Sequence, residues 1–380
     1  MKTIELAFCD AGGGHRAAAT ALCDVAQLEQ RPWTLRMTNL LQLFAEFDIV
    51  KKLSGVSEEE AYNAVLRRGW TLGSPLMLSL IKFFYRRYYR SQVRVLERHW
   101  AQERPDMVVS VMPHFNRALH DAIAHVMPDV PLVTILTDLA DYPPHFWIEE
   151  KQEQYFICGS DRAREQALGA GHAASHVFQT SGMILSPRFY GHTAGRQPGD
   201  IAALGLDAAL PVAFMMFGGE GSSAMLTIAR LLDESGLDVQ LIAVCGKNER
   251  LETSLRSVVR RLPMHVLGFT SDVAHLMQLS DFFIGKPGPG SISEALAMGL
   301  PVIVECNAWT MPQERYNAEW VEERGFGIAI HSFHREIVGA VRSMLDPVRR
   351  REFVTRVKAY ENRAVFEIPD ILERILSRTP

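Results

Sequence analysis

Residues 281–311, reading DFFIGKPGPGSISEALAMGLPVIVECNAWTM, constrain the fold more tightly than any other part of the chain. A short apolar run at 282–284 reads as a buried strand bounded by turn residues. A Gly- and Pro-rich loop follows, then a helix predicted from about Ser291 and closed by Gly299 and Pro301. A second apolar run at 302–304 completes a strand–helix–strand unit. Backbone N–H groups of Gly288, Gly290 and Ser291 crowd at that helix N-terminus, where free donors and the dipole favour a phosphate. Glu294 falls in the predicted first turn, where its carboxylate suits the two hydroxyls of a ribose. The plainer alternative is a Ser291–Glu294 capping box with no ligand.

The N-terminal end holds a second strand, Gly-loop and helix. Residues 4–8 are a strand candidate running into AGGGH at 11–15, with an alanine-rich helix from Arg16 to about Glu29. The loop lacks the GxGxxG spacing of a dinucleotide fingerprint, and no acidic residue ends a clear second strand, which argues against NAD. It also lacks the Lys-Ser/Thr of a P-loop, which argues against a nucleoside triphosphatase. His15 is the notable residue. At a helix N-terminus the dipole lowers an imidazole pKa, leaving a neutral ring able to accept a proton. Alternatively His15 only hydrogen-bonds its own loop.

Residues 40–100 break the α/β rhythm and read as two or three helices, with a capping box at Ser57 and Glu60. Within them Lys82, Arg86, Arg90, Arg94 and Arg98 recur at every fourth position, a row that drifts by only about 40° per step and makes one basic face. Aromatics lie beside it, among them Phe84 and Tyr89. That mixture suits contact with an anionic membrane surface; the alternative is a helix packed through its aromatics with its arginines solvated.

Regular alternation resumes with strands at 107–111, 132–136 and 155–158, whose ends present His114, Thr137-Asp138 and Gly159-Ser160. Asp138 is a candidate base, or the carboxylate that orients His15, or a turn cap. The loop DYPPHFW at 141–147 either rims an apolar acceptor entrance with His145 and Trp147 or is simply rigid. Residues 182–199 read as a linker. A second α/β set then begins: strands at 212–217, 239–244 and 265–267 end in Gly218–Ser223, Cys245-Gly246-Lys247 and Gly268-Phe269-Thr270. A helix starting near Pro312-Gln313-Glu314 ends by Gly325, and 369–377 form a last short amphipathic helix. Ligand-type turns thus gather at one edge of each sheet, as the crevice rule for open α/β sheets expects.

At 380 residues the chain has room for two domains, and 47% apolar with 22% charged residues is a packed globular composition. A net charge of -4 excludes a uniformly basic nucleic-acid binder. Five cysteines without a CxxC pair suit reduced thiols in a cytosol. The N-terminus does not read as a signal peptide, and no apolar stretch approaches the ~20 residues of a membrane span. No DxD-type or His/Cys cluster argues for a metal. The expectation is a cytoplasmic protein held peripherally at the inner face of the cell membrane.

With these residues in view the chain resembles the monogalactosyldiacylglycerol synthase family and its bacterial processive diacylglycerol glycosyltransferase relatives. More remotely it is similar to the peptidoglycan N-acetylglucosaminyltransferase. The resemblance rests on GGGHRAAA at 12–19, PDMVVSVMPH at 105–114, TILTDL at 134–139, GGEG at 218–221 and CGKN at 245–248. Its most specific part is 268–303 with PQERYN at 312–317. It implies an α/β GT-B fold, two Rossmann-like domains facing a central cleft. The N-terminal acceptor and membrane-contact domain would span 1–195, with 363–380 packing back on it, and the UDP-sugar domain 196–362. Carried over, His15 is the base and Phe269 lies against the uracil, with Asp138 kept as the catalytic candidate read from its strand end. Gly288, Pro289, Gly290 and Ser291 hold the pyrophosphate, Glu294 the ribose, and Gln313 and Glu314 the sugar hydroxyls. Gly219 and Glu220 close near the phosphates, and Gly14, Gly246, Thr270, Lys286 and Asn317 complete the donor side. Pro312 stands where the family carries Gly. Implied partners are UDP-galactose or UDP-glucose, a diacylglycerol-type acceptor and an anionic membrane, with no nucleic acid and no cofactor. The alternatives are a GT-B transferase with a non-glycerolipid acceptor or a UDP-sugar 2-epimerase.

Overall fold

The computed structural model describes residues 1–10, 13–44, 74–191, 197–258 and 261–378, with side chains left out at 74–88 and 198. The chain divides into two compact units between Pro187 and Arg188, and from Asn362 onward it returns to the first.

In the first unit six parallel strands are ordered β2-β1-β3-β4-β5-β6. These are β1 (Lys2–Phe8), β2 (Trp33–Asn39), β3 (Met107–Ser110), β4 (Leu132–Ile135), β5 (Tyr155–Cys158) and β6 (Val177–Gln179). In the second, β7 (Val212–Met216), β8 (Gln240–Val244), β9 (Met264–Leu267), β10 (Phe282–Gly285), β11 (Val302–Glu305) and β12 (Gly327–Ile330) are ordered β12-β11-β10-β7-β8-β9, again all parallel. Covered on both faces by helices, the central strands are continuous apolar runs; every residue of β3, β4, β7, β8 and β10 is buried. In each sheet the strand order reverses once, between β1 and β3 and between β7 and β10. Those reversals open a crevice at the carboxyl ends of the strands, where open α/β sheets bind ligands.

The apolar runs read as strands are strands, shifted by a residue or two at their ends. The sequence reading did not find β2, β6 or β12. All three are edge strands, and β2 and β6 interleave polar with apolar residues, as in WTLRMTN, instead of forming a continuous apolar run. Pro369, read as the start of the last helix, lies inside the helix Ala364–Leu376, which begins five residues earlier and buries Val365, Ile368, Ile371, Leu372 and Ile375. That helix is tied to the first unit through Arg31, which meets Asp370 and Glu373, and through Asn362, whose Nδ2–H donates to Met183 O at 2.9 Å.

One 30-residue helix, Ser74–Glu103, covers much of the region read as two or three; Ser57 and Glu60 lie outside the described residues. Its C-terminal end is anchored by Glu5 of β1, only 1% exposed, which accepts Trp100 Nε1–H at 3.1 Å and meets His99 Nε2 at 2.8 Å. Arg90, Arg94 and Arg98 are exposed, while Tyr89 turns inward and its hydroxyl donates to Asp121. The side chains of Lys82, Phe84 and Arg86 lie outside the described residues.

Candidate active site

His15 is the second residue of the helix Gly14–Leu28, entered through Gly13 in the left-handed region at φ 81. That turn places the imidazole at the reversal between β1 and β3. Nδ1 lies 2.8 Å from Val111 O and 3.1 Å from Thr137 Oγ1. A carbonyl can only accept, so Nδ1 carries the proton and Nε2 keeps its lone pair. Burial pushes the imidazole pKa down to about 4, against the opposing hydrogen bond to Val111. The ring is therefore a neutral base at physiological pH, and desolvation rather than the helix dipole is the main cause.

Asp138 does not take the orienting position that sequence reading offered it; Val111 and Thr137 hold Nδ1, and Asp138 Oδ2 accepts Trp147 Nε1–H at 2.9 Å. Trp147 is not a rim residue either. It is 0% exposed, packs with Leu136, Phe146 and Phe156, and sets its ring edge-on to His15 at 6.0 Å. The reason is polar satisfaction: Asp141 accepts the backbone N–H groups of His145, Phe146 and Trp147 at 2.9, 2.9 and 2.7 Å and folds the loop inward. His145 stays exposed. Val111, Thr137 and Asp141 were not singled out as site residues; their roles depend on neighbouring strand ends that meet only in the folded sheet.

In the second unit the two glycine turns interlock as bare backbone. Lys247 N–H donates to Gly219 O at 2.8 Å, and a Cβ on Gly246 (φ +61) would lie 2.1 Å from that oxygen. Gly246 therefore serves the approach of the two turns, beside Glu220. Phe269, at the end of β9, is 69% exposed, an aromatic face in water at the same sheet edge. Thr270 Oγ1 accepts Asp272 N–H at 3.1 Å and shapes the turn after it.

The helix after β10 spans Pro289–Ala297 and starts two residues before the predicted position, because Pro289 occupies its first turn. Gly288 is the N-cap and no side chain caps the helix, so the Ser291–Glu294 capping box is not formed. Glu294 consequently lies in the second turn. Gly288 N–H is already donated to Lys286 O at 2.8 Å and Pro289 has none, which leaves the N–H groups of Gly290 and Ser291 without a partner among the described residues. The half-buried Glu294 carboxyl likewise has no partner there, and burial pushes its pKa up to about 7.

The helix Pro312–Arg324 brings three further groups to the same place. Pro312 is its first residue, where the missing N–H costs nothing. Glu314 Oε1 accepts Lys286 Nζ–H at 2.7 Å, and Asn317 Nδ2–H donates to Pro287 O at 2.8 Å, fixing the phosphate-type loop on the helix. Gln313 Oε1 and Asn317 Oδ1 are buried without a hydrogen-bond partner among the described residues. Unsatisfied acceptors cost about 1–3 kcal/mol each, so a cluster of them beside an uncapped helix N-terminus suits a polyhydroxylated anion.

Residues 216–353 match the Glycosyltransferase family 28 C-terminal domain, a span containing Gly219 through Asn317. The chain is 29% identical to a probable monogalactosyldiacylglycerol synthase 2, chloroplastic, of Oryza sativa subsp. japonica over 86% of its own length and 70% of that protein. It is 26% identical to the Spinacia oleracea monogalactosyldiacylglycerol synthase over 99% of its length and 73% of that protein. In structure it resembles S. aureus MnaA with UDP, at TM-score 0.63 and 16% identity over 99% and 97% of the two chains. It also resembles Acinetobacter baumannii MurG, at TM-score 0.60 and 12% identity over 98% and 99%. Residues 216–353 are thus a glycosyltransferase family 28 C-terminal domain, and the chain is a glycosyltransferase of the two-domain GT-B layout related in sequence to the monogalactosyldiacylglycerol synthases.

Proposed function

We propose that the protein transfers a hexose, galactose or glucose, from a UDP-sugar to diacylglycerol or a related membrane lipid. The observation that carries the donor half is the uncommitted set in the second unit: Gly290 and Ser291 N–H, the Glu294 carboxyl, Gln313 Oε1 and Asn317 Oδ1. Diphosphate oxygens fit the N–H groups, ribose hydroxyls the carboxyl, and sugar hydroxyls the amide oxygens. Phe269 offers its open face to the uracil. The relatives named as diacylglycerol galactosyl synthases support a lipid acceptor. The exposed Arg90, Arg94 and Arg98 support attachment to an anionic leaflet, with the first unit as the acceptor side.

In the reaction the acceptor hydroxyl gives its proton to His15 Nε2 and its oxygen attacks the anomeric carbon. The bond to the UDP oxygen breaks on the opposite face, UDP leaves with the electron pair, and the anomer is inverted. Charge on the departing diphosphate falls on the helix dipole and loop N–H groups at Gly290 and Ser291, which stabilise it without reorganising.

The direct test measures UDP release from UDP-galactose and UDP-glucose, with and without anionic vesicles containing diacylglycerol. Release that requires the vesicles is expected; release indifferent to them would remove the lipid acceptor. Glu294 adds a pH signature. Its raised pKa means the ionised acceptor form is lost as pH falls below about 7. Uridine, which carries no phosphate, should therefore bind more weakly from pH 8 to 6, and Glu294→Gln should flatten that dependence. A wild-type uridine affinity independent of pH over this range would take Glu294 off the ribose.

A further inference from the structure

Lys286 follows β10 directly, at the reversal between β7 and β10, and its ammonium lies over two glycine turns. A Cβ built on Gly218 would stand 3.7 Å from Lys286 Cε. One built on Gly288 would stand 3.2 Å from that carbon and 3.7 Å from both Lys286 Nζ and Glu314 Oε1. The ion pair, 2.7 Å long, therefore lies beside Gly288, the N-cap of a helix whose Gly290 and Ser291 N–H groups have no partner among the described residues. Lysine is 33% and glutamate 11% exposed in their side chains, so Lys286 is the partner open to an incoming ligand.

A carboxylate is an odd neighbour for an anion site, since like charges a few ångströms apart repel. It is tolerated here because Lys286 neutralises it. A nucleoside diphosphate arriving at the helix N-terminus competes with Glu314 for that ammonium, with more charge and more oxygens. Glu314, once released, is a free acceptor beside Gln313 Oε1, which has no partner of its own among the described residues.

The geometry points to a ligand-exchange device, resting on the UDP-sugar reading above: the donor's diphosphate takes Lys286 from Glu314, and the freed Glu314 carboxylate then accepts from hydroxyls of the donor hexose. Sugar recognition thereby becomes conditional on the diphosphate. Glu314 is a competitor for UDP and a partner for UDP-hexose, two roles of opposite sign.

That sign difference is measurable by calorimetric titration of the full chain with uridine, UDP, UDP-galactose and UDP-glucose. Glu314→Gln should bind UDP about threefold more tightly, the worth of a partly exposed ion pair, and its preferred UDP-hexose about tenfold more weakly, the worth of a charged hydrogen bond. Lys286→Met should lose about 10–100-fold in UDP affinity while changing uridine by less than about threefold. Lys286→Arg, keeping the charge, should recover most of the loss. If Glu314→Gln shifts UDP and UDP-hexose in the same direction, the carboxylate is a structural support and the exchange is wrong. Equal loss of uridine and UDP in Lys286→Met would also overturn it. A wild-type chain that binds neither uridine nor UDP removes the UDP-sugar reading and the exchange together.

Discussion

His15→Ala should lower kcat by about 10²–10⁴-fold, the contribution of a positioned general base, while UDP affinity stays within about twofold. The size of the effect follows from how completely the ring is committed. Its Nδ1 is held by Val111 O and Thr137, leaving Nε2 as the single proton acceptor, and burial keeps it neutral with a pKa of about 4. The same shift sets the acid limb of the rate profile. A histidine with an ordinary pKa of about 6.5 would lose activity through neutral pH. This one should hold kcat/KM level in saturating lipid until the pH approaches about 4, provided the Glu294 contribution is separated by the Glu294→Gln variant. The stability linkage runs the same way: a depressed histidine pKa favours the fold above about 6.5, and that contribution is lost as pH falls toward 4. Wild-type turnover by His15→Ala would remove the residue from the chemistry.

Asp141→Ala should be the most destabilising single change near the site. The 5%-exposed carboxylate accepts three backbone N–H groups, from His145, Phe146 and Trp147. Truncation orphans all three, and the N–H groups of the buried Phe146 and Trp147 cost about 1–3 kcal/mol each, a total of roughly 2–6 kcal/mol against the 5–15 kcal/mol by which domains are stable. Thermal unfolding should move down by several degrees at least. Because the loop ends at Trp147, whose ring lies 6.0 Å from His15, the surviving folded fraction should also turn over more slowly. Asp141→Asn, which keeps an acceptor oxygen, should recover part of both. Unchanged unfolding in Asp141→Ala would show that the loop holds itself.

Much of this was legible in the sequence for local reasons. Strand–Gly-loop–helix units announce themselves through apolar runs and glycines, so β1 with His15 and β10 with Ser291 could be read directly. What failed were choices between neighbouring residues or distant ones. The helix start moved from Ser291 to Pro289, which displaced Glu294 by a turn and spent Gly288 N–H on Lys286 O. The aromatics of 141–147 looked like an entrance because nothing local shows that Asp138 and Asp141 can satisfy Trp147 inside the core. The Lys286–Glu314 pair spans 28 residues, and His15 meets Thr137 across 122, separations that periodicity and composition do not see.

The most direct measurement is transfer of labelled hexose from UDP-galactose and UDP-glucose into diacylglycerol of anionic vesicles, with the anomeric configuration of the glycolipid read by NMR. Label in the lipid with a β linkage, formed from an α-linked donor, is the result expected of a single displacement assisted by His15. An α-linked product, or label that never enters lipid while UDP is released, would contradict it.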